Sequence, residues 1–362
     1  MKFLLLTREF PPNVIGGVAY HAYNLAHTLT ENHDVTVLTT SAGDHTDNLP
    51  LNHTEVIRLD CPTRGSPRFW FDRAVRTHLE NTDLLDGVDV IHSHEYVRFD
   101  HLDTDVPTIL KVHFNIEKKF EFFPLDEYHP AIRPLVAGAL DYGIAPLERS
   151  LARQSLEAAD GRIFISELTE RLRADRATKP NRVVYNGVDC ERFAPGETDD
   201  NGYYLFVGGT QHRKGYRQLL DASKQIDREL KIAGAERPDD ESIPENVEFL
   251  GHVPQSELPE RYRNASALVH PALYEPFGNI VLESLACGTP VVVSNPEHCG
   301  AAEILSEDVG TTIDPTDDSL HETLRTFDPT AYDTSDCRAL AEQYTWGDVA
   351  DETVAFAREL LD

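Results

Sequence analysis

The chain has 362 residues, which exceeds one ordinary core and suits two domains of roughly 150 to 200 residues. With 33 basic residues against 62 acidic ones the formal charge is −29, a surface that repels nucleic acid and anionic lipid and excludes both as natural partners. Only eight of the basic residues are lysine and the carboxylates run along the whole chain, a pattern that suits a high-salt (halophilic) cytoplasm where screening removes self-repulsion, with an ordinary acidic cytosolic enzyme as the alternative. Cys61, Cys190, Cys287, Cys299 and Cys337 are odd in number and include no C-x-x-C pair, so reduced cytosolic thiols are expected, with neither a metal site nor a disulfide framework.

In chain order, Phe3 to Leu6 reads as a buried strand, and its apolar run stops at Thr7-Arg8-Glu9, too short for a signal peptide or a membrane span. No later run approaches membrane length. A long loop, Glu9 to Gly17, leads into a helix with Val18, Ala22, Leu25, Ala26 and Leu29 on one face, then a strand at Val35 to Thr39. Further strands at Val56 to Leu59, Val88 to His92, Thr108 to Phe114, Arg162 to Ser166 and Arg182 to Tyr185 alternate with helical stretches, the pattern of a parallel sheet wrapped by helices. Gly16-Gly17 opens the first helix, where backbone can approach an anion closely, although no dinucleotide G-x-G-x-x-G is present. His92, His94 and His113 end two of the strands, on the side where open α/β sheets bind ligands. Asp103-Thr104-Asp105 is an exposed turn with no assigned role. The basic and aromatic run Lys118 to Phe123 suits a lipid head group, an acceptor sugar or a helix face packed on the sheet.

Pro195 to Gly202 has linker composition and sets the domain boundary at about residue 196. The second domain starts with the strand Tyr204 to Val207, followed by Gly208-Gly209-Thr210-Gln211-His212-Arg213-Lys214-Gly215 and a helix carrying Leu219, Leu220 and Ile226. Arg213 and Lys214, adjacent cations at a strand's carboxyl end beside glycines, outline a diphosphate clamp in a very acidic chain. More strands are expected at Leu230 to Ala233, Val247 to Leu250, Ala267 to Val269, Val291 to Ser294 and Thr311 to Ile313, and Gly300-Ala301-Ala302-Glu303 reads as a helix start. The last segment, Tyr344 to Leu361, is an amphipathic helix with Val349, Val354, Phe356 and Leu360 as packing residues.

Within this half, His270 to Pro290 carries the most information. Pro271, Pro276 and Gly278 forbid a regular helix until about Asn279, after which Ile280, Leu282, Leu285 and Ala286 recur at helical spacing up to Gly288-Thr289-Pro290. Glu275 therefore lies in a loop and Glu283 about one turn inside the helix, with the helix N-terminus and its unpaired N–H groups between them. A ligand with hydroxyls at both ends and phosphate in the middle fits such a site, which describes a nucleotide sugar.

The Glu275 to Glu283 spacing, with Pro276-Phe277-Gly278 inside it and Ala286-Cys287-Gly288-Thr289-Pro290-Val291-Val292 behind it, resembles the signature of the family-four retaining glycosyltransferases of GT-B fold. Val183-Val184-Tyr185-Asn186-Gly187-Val188-Asp189 resembles the family's segment at the end of its N-terminal domain. The resemblance implies two Rossmann-like parallel-sheet domains facing across a cleft: residues 1–195 binding the acceptor, residues 196–343 binding the nucleotide sugar, and a helix over 344–362 packing back on the first domain. It also implies that Gly16 and Gly17 approach the donor phosphates, that His113 contacts the donor sugar, and that Val253 lies by the nucleobase. Glu275 and the backbone of Phe277, Gly278 and Asn279 would hold sugar hydroxyls, Glu283 the ribose diol, and Arg213 and Lys214 the diphosphate. The commoner family pattern has an arginine directly after the first glycine of that loop, where this chain has Gly209.

The implied activity is metal-independent, cofactor-free hexosyl transfer with retention, from a UDP- or GDP-linked sugar to a glycan or lipid-linked acceptor, with at most weak peripheral membrane contact. Three other readings are open at this stage: a glycoside hydrolase using Glu275 and Glu283, an epimerase on the same fold, and a nucleotide-sugar sensor without turnover.

Overall fold

The computed structural model describes residues 1–362 except 15, 42–53, 63–64, 126–127, 174–177, 198–201, 239–241 and 317–318, so the centre of the expected linker lies outside the described residues. Strands that read as continuous apolar runs need cover on both faces, and the chain meets that need with two all-parallel sheets. The first contains β1 (Lys2–Leu6), β2 (Asp34–Thr40), β3 (Glu55–Leu59), β4 (Val90–Ser93), β5 (Thr108–Val112), β6 (Gly161–Phe164) and β7 (Asn181–Val183), in the order β3-β2-β1-β4-β5-β6-β7. The second contains β8 (Tyr203–Val207), β9 (Leu230–Ala233), β10 (Val247–Gly251), β11 (Ala265–His270), β12 (Val291–Ser294) and β13 (Gly310–Ile313), in the order β10-β9-β8-β11-β12-β13. In each sheet the winding direction reverses once, between β1 and β4 and between β8 and β11. Those two switch points are where doubly wound sheets open a crevice at the carboxyl ends of their strands.

Leu4, Leu5 and Leu6 of β1 and Val291, Val292 and Val293 of β12 are fully buried, as central parallel strands require. Two compact units result. One comprises Met1–Ile165, Thr169–Val184 and Val349–Asp362; the other comprises Ser166–Leu168 and Tyr185–Asp348. The first unit thus includes most of the helix Trp346–Leu361, in which Val349, Val354 and Phe356 are buried. A Cβ on Gly161 of β6 would stand 2.7 Å from Phe356 and Leu360, so glycine there lets the helix lie directly on the strand. Arg182 of β7 adds hydrogen-bonded ion pairs to Glu352 and Glu359 at 3.2 and 2.6 Å.

The division between the units falls at Val184 and Tyr185, some way before the expected boundary at 196. The reason lies in packing that linker composition does not reveal. Asn186 donates to Asn279 Oδ1 at 2.8 Å, the Phe193 ring meets Tyr262 edge-on, and Arg338 donates to the carbonyls of Phe193 and Cys190 at 2.6 and 2.8 Å. All five cysteines are unbridged.

Every expected strand forms, with shifted ends. β5 stops at Val112 and β4 runs on to Ser93, so His92 lies inside β4 while His94 and His113 begin the loops beyond the strands. Ser166 and Tyr185, expected as strand ends, leave the first sheet: the Ser166 hydroxyl donates to Pro276 O at 2.6 Å and the Tyr185 ring lies 5.9 Å from that of Phe277.

Candidate active site

In the second unit the loops that leave β8 and β11 at the switch point carry the charged residues. The loop after β8 forms a short 3-10 turn, His212–Lys214, closed by Gly215 in the left-handed conformation (φ 73°). Leu273 N–H donates to Arg213 O at 2.8 Å, tying this loop to the one after β11. The tie brings three side chains together on one carboxylate oxygen. Glu275 Oε2 accepts a hydrogen bond from Lys214 Nζ, lies 3.7 Å from Arg213 Nη1, and is 3.3 Å from His270 Nε2. Burial alone would raise the Glu275 pKa, but the Lys214 charge, the His270 hydrogen bond and the Arg213 charge outweigh it and hold the carboxyl well below the ordinary range. Glu275 is therefore ionised and joined directly to the two cations, where the sequence expectation had put it on the sugar hydroxyls and them on the diphosphate. Backbone bonds fix it there: Glu275 N–H donates to His298 O at 2.7 Å and Gly300 N–H donates to Glu275 O at 3.0 Å.

Phe277, Gly278 and Asn279 follow in one turn. Phe277 is 1% exposed, so its ring is core and only its backbone can meet a ligand; its carbonyl already accepts from Ala301 N–H at 2.8 Å. Gly278, at φ 99°, is the N-cap of the helix Asn279–Ala286, and no side chain caps that helix. Gly300–Ile304 is a 3-10 turn whose first amides bond the 275–277 loop, so it supplies no open helix start. Glu303 instead accepts from the N–H groups of Glu167 and Leu168 at 2.8 and 2.6 Å.

Glu283 sits one turn into the Asn279–Ala286 helix and accepts from the buried Tyr262 hydroxyl at 2.8 Å. Burial pushes its pKa up to about 7 despite that hydrogen bond. The two glutamates thus differ sharply: one is a fixed anion, the other titrates near neutrality. Val253 is half-buried in the loop beyond β10.

In the first unit, Gly16 is the N-cap of the helix Gly17–Leu29 with extended backbone, and a Cβ on either Gly16 or Gly17 would meet nothing within 4 Å. Burial raises the Glu9 pKa and the nearby Gly16 backbone opposes that rise, so a carboxylate of the chain's own lies close to this helix start. Beyond β4 and β5, His113 Nε2 lies 3.0 Å from His94 Nδ1, and the His21 ring centroid is 4.7 Å from that of His113. Burial, with Lys111 as the main charged neighbour, lowers the His94 pKa to about 3, and burial holds His21, His92 and His113 well below the ordinary imidazole range. His21 was absent from the sequence expectation. A signal existed: it stands three residues after Val18 and four before Leu25, on the same helix face. In the Lys118 to Phe123 run, Lys118 pairs with Glu121 at 2.7 Å, Lys119 pairs with Glu148, and Arg149 lies over the Phe120 ring at 5.2 Å. Those cations are thus engaged within their own unit. Among the described residues no helix is long and apolar enough to cross a membrane.

Two doubly wound parallel-sheet units, the second presenting a Lys-Arg-Glu cluster and a glycine-capped helix at its switch point, define a glycosyltransferase of GT-B fold. Comparison with known proteins agrees. The glycosyltransferase family 4 profile matches residues 15–192 and that of glycosyl transferases group 1 matches residues 188–327. The chain belongs to the family-four glycosyltransferases. It is 26% identical to an uncharacterized glycosyltransferase of Methanocaldococcus jannaschii, over 98% of this chain and 97% of that one. It is 27% identical to the glycogen synthase of Mycobacterium tuberculosis, over 84% and 80% of the two chains. In fold it resembles the sucrose-phosphate synthase of Thermosynechococcus elongatus (TM-score 0.76, 20% identity, 99% of both chains covered). It also resembles Anabaena HepE in complex with UDP-glucose (TM-score 0.70, 18% identity, 99% of this chain and 100% of that one).

Proposed function

We propose that the protein is a retaining hexosyltransferase that takes a UDP- or GDP-linked sugar and passes the hexosyl group to a glycan or lipid-linked acceptor in a salt-rich cytoplasm. The second unit would hold the donor and the first the acceptor. The observation that carries this reading is the convergence of Lys214, Arg213 and Glu275 at the second unit's switch point, beside the uncapped N-terminus of the helix Asn279–Ala286.

Cleaving the anomeric C–O bond puts negative charge on the leaving diphosphate. Lys214, Arg213 and the amides that follow Gly278 would stabilise that charge, so the reaction needs no metal or other cofactor. Until donor binds, Glu275 holds the two cations in place. An incoming diphosphate would take over Lys214 and Arg213 and free the Glu275 carboxylate to accept from sugar hydroxyls, with the Phe277 to Asn279 backbone beside it. Glu283 would hold the ribose diol, Val253 would lie by the base, His113 would face the sugar, and Gly16 and Gly17 would approach the phosphates once Glu9 gives way. No protein nucleophile is assigned: the departing phosphate helps to deprotonate the acceptor on the same face, which gives retention.

The test is a panel of nucleotide sugars screened for thermal shift in concentrated salt, then for donor hydrolysis and for transfer to lipid-linked or oligosaccharide acceptors. The anomeric configuration of the product would be read by NMR. Stabilisation by one UDP- or GDP-sugar with an anomer-retaining product is the expected result. Stabilisation by a nucleoside diphosphate without transfer to any acceptor would point to a sensor. Release of sugar from an unactivated glycoside would point to a hydrolase.

Glu283 supplies a pH-dependent check. Only the ionised carboxyl accepts from both ribose hydroxyls, so the donor KM should fall as pH rises through about 7, and Glu283→Gln should flatten that dependence. Because burial raises the folded-state pKa, ionisation above that value costs stability, so the same variant should show a higher Tm than wild type on the alkaline side. A KM profile unchanged by Glu283→Gln would remove the glutamate from donor binding.

A further inference from the structure

Four imidazoles and one amine are packed together at the carboxyl ends of β4 and β5. The ring centroids of His94 and His113 lie 5.2 Å apart, those of His92 and His94 4.7 Å, and those of His21 and His94 5.3 Å. Among the described residues, both ring nitrogens of His92, Nε2 of His94 and the Lys111 ammonium are buried without a hydrogen-bond partner. Buried polar groups left in that state call for a physical reason, such as a water or an ion, and they mark this as a polar pocket in the core. One nitrogen each from His21, His94 and His113 lies within 4.8 Å of the others. Three neutral imidazoles so close together form a nitrogen-rich donor set of the kind that selects zinc and its neighbours over magnesium or calcium.

We propose that His21, His94 and His113 form an inhibitory binding site for a divalent transition metal ion of the zinc type. The ion takes the place of the proton shared between His94 Nδ1 and His113 Nε2, which are 3.0 Å apart. Tetrahedral metal–nitrogen bonds of about 2.0 to 2.1 Å set ligand nitrogens roughly 3.3 Å apart, so this pair opens by a few tenths of an ångström while the His21 ring closes in. His94, His113 and Lys111 line a cavity of about 40 Å³, enough for an ion and a water molecule and too small for a sugar ring. The same cavity is walled by Glu95, which is paired with Arg8 at 3.3 Å and Arg68 at 3.2 Å. Lys111 opposes the ion as a like charge. The inhibitory effect rests on the donor-sugar role proposed for His113, because a metallated imidazole can no longer serve the sugar. Metal binding itself does not depend on that role.

The experiment starts with chelator-treated full-length protein in concentrated salt, which suppresses loose binding to surface carboxylates. Titration with Co²⁺ should give a single site with the intense visible bands of a tetrahedral ion, and Zn²⁺ should displace it one for one. His21→Gln should abolish the bands and at least tenfold of the affinity, yet keep basal transfer activity and lose inhibition by Zn²⁺. Lys111→Met should tighten binding. X-ray absorption on the zinc-loaded wild type, which needs no variant to fold, should show three imidazole nitrogens at about 2.0 Å. A six-coordinate aquo-type spectrum, an oxygen-only zinc shell, or unchanged cobalt bands in folded His21→Gln would overturn the site. Tetrahedral bands without inhibition of an active enzyme would overturn the inhibitory role, and absence of transfer activity altogether would count against the proposed function while the spectra still decide the metal site.

Discussion

Replacing Lys214 by alanine is expected to lower turnover about 10²-fold or more, with a much smaller change in the fold. Lys214 donates to Glu275, and its side chain is 18% exposed, so the ammonium is neither free in solvent nor structural ballast. The variant leaves a buried carboxylate with Arg213 at 3.7 Å and His270 at 3.3 Å as its remaining partners. Transition-state charge on a leaving diphosphate would then be met by one distant guanidinium and the helix amides. The bound diphosphate already carries charge, so KM should rise somewhat, but the larger loss should fall on kcat, because further negative charge develops as the bond breaks. Lys214→Arg keeps the charge but not the compact ammonium and should recover only part of the rate. Steady-state kinetics with the donor found by the screen decides the matter, and near-normal turnover in Lys214→Ala would remove the lysine from the mechanism.

The second large effect is on stability. Gly215→Ala should cost about 3 kcal/mol, from a left-handed backbone penalty of about 1 kcal/mol added to overpacking of about 2 kcal/mol. Gly215 has φ 73°, and a Cβ there would stand 1.7 Å from Pro271 O, a backbone atom that cannot step aside as a side chain would. The two loops that carry Lys214 and Glu275 must separate for the methyl group to fit. The variant should melt about 6 °C or more below wild type and, where still folded, should lose donor-induced thermal shift. A Tm unchanged by the substitution would mean that the two loops are not held this closely together.

How far the sequence discloses this arrangement depends on range. Periodicity exposes β1, β8, β11 and β12 because buried parallel strands are apolar on both faces, and Gly278 with Gly288 brackets the helix between them. The carboxylates at 275 and 283 can be placed on a loop and in a helix from spacing alone. Their partners cannot. Lys214 meets Glu275 and Tyr262 meets Glu283 across gaps of 61 and 21 residues, and these pairings arise from strand order, which no local pattern encodes. The same holds for Glu9 at the Gly16 amide and for His21 beside His113. Composition misplaced the unit boundary because Tyr185 to Phe193 looks like an exit from the first sheet, while Arg338, far along the chain, fastens it to the second unit.

The terminal helix has a consequence for how the molecule is made on the ribosome. Phe356 and Leu360 cover Gly161, so a nascent chain that has already delivered all seven strands of the first sheet still lacks the lid for β6. Residues 185–348 can finish folding while their predecessor waits with an oily patch open to chaperones and to other nascent chains. The half synthesised first is thereby the half completed last.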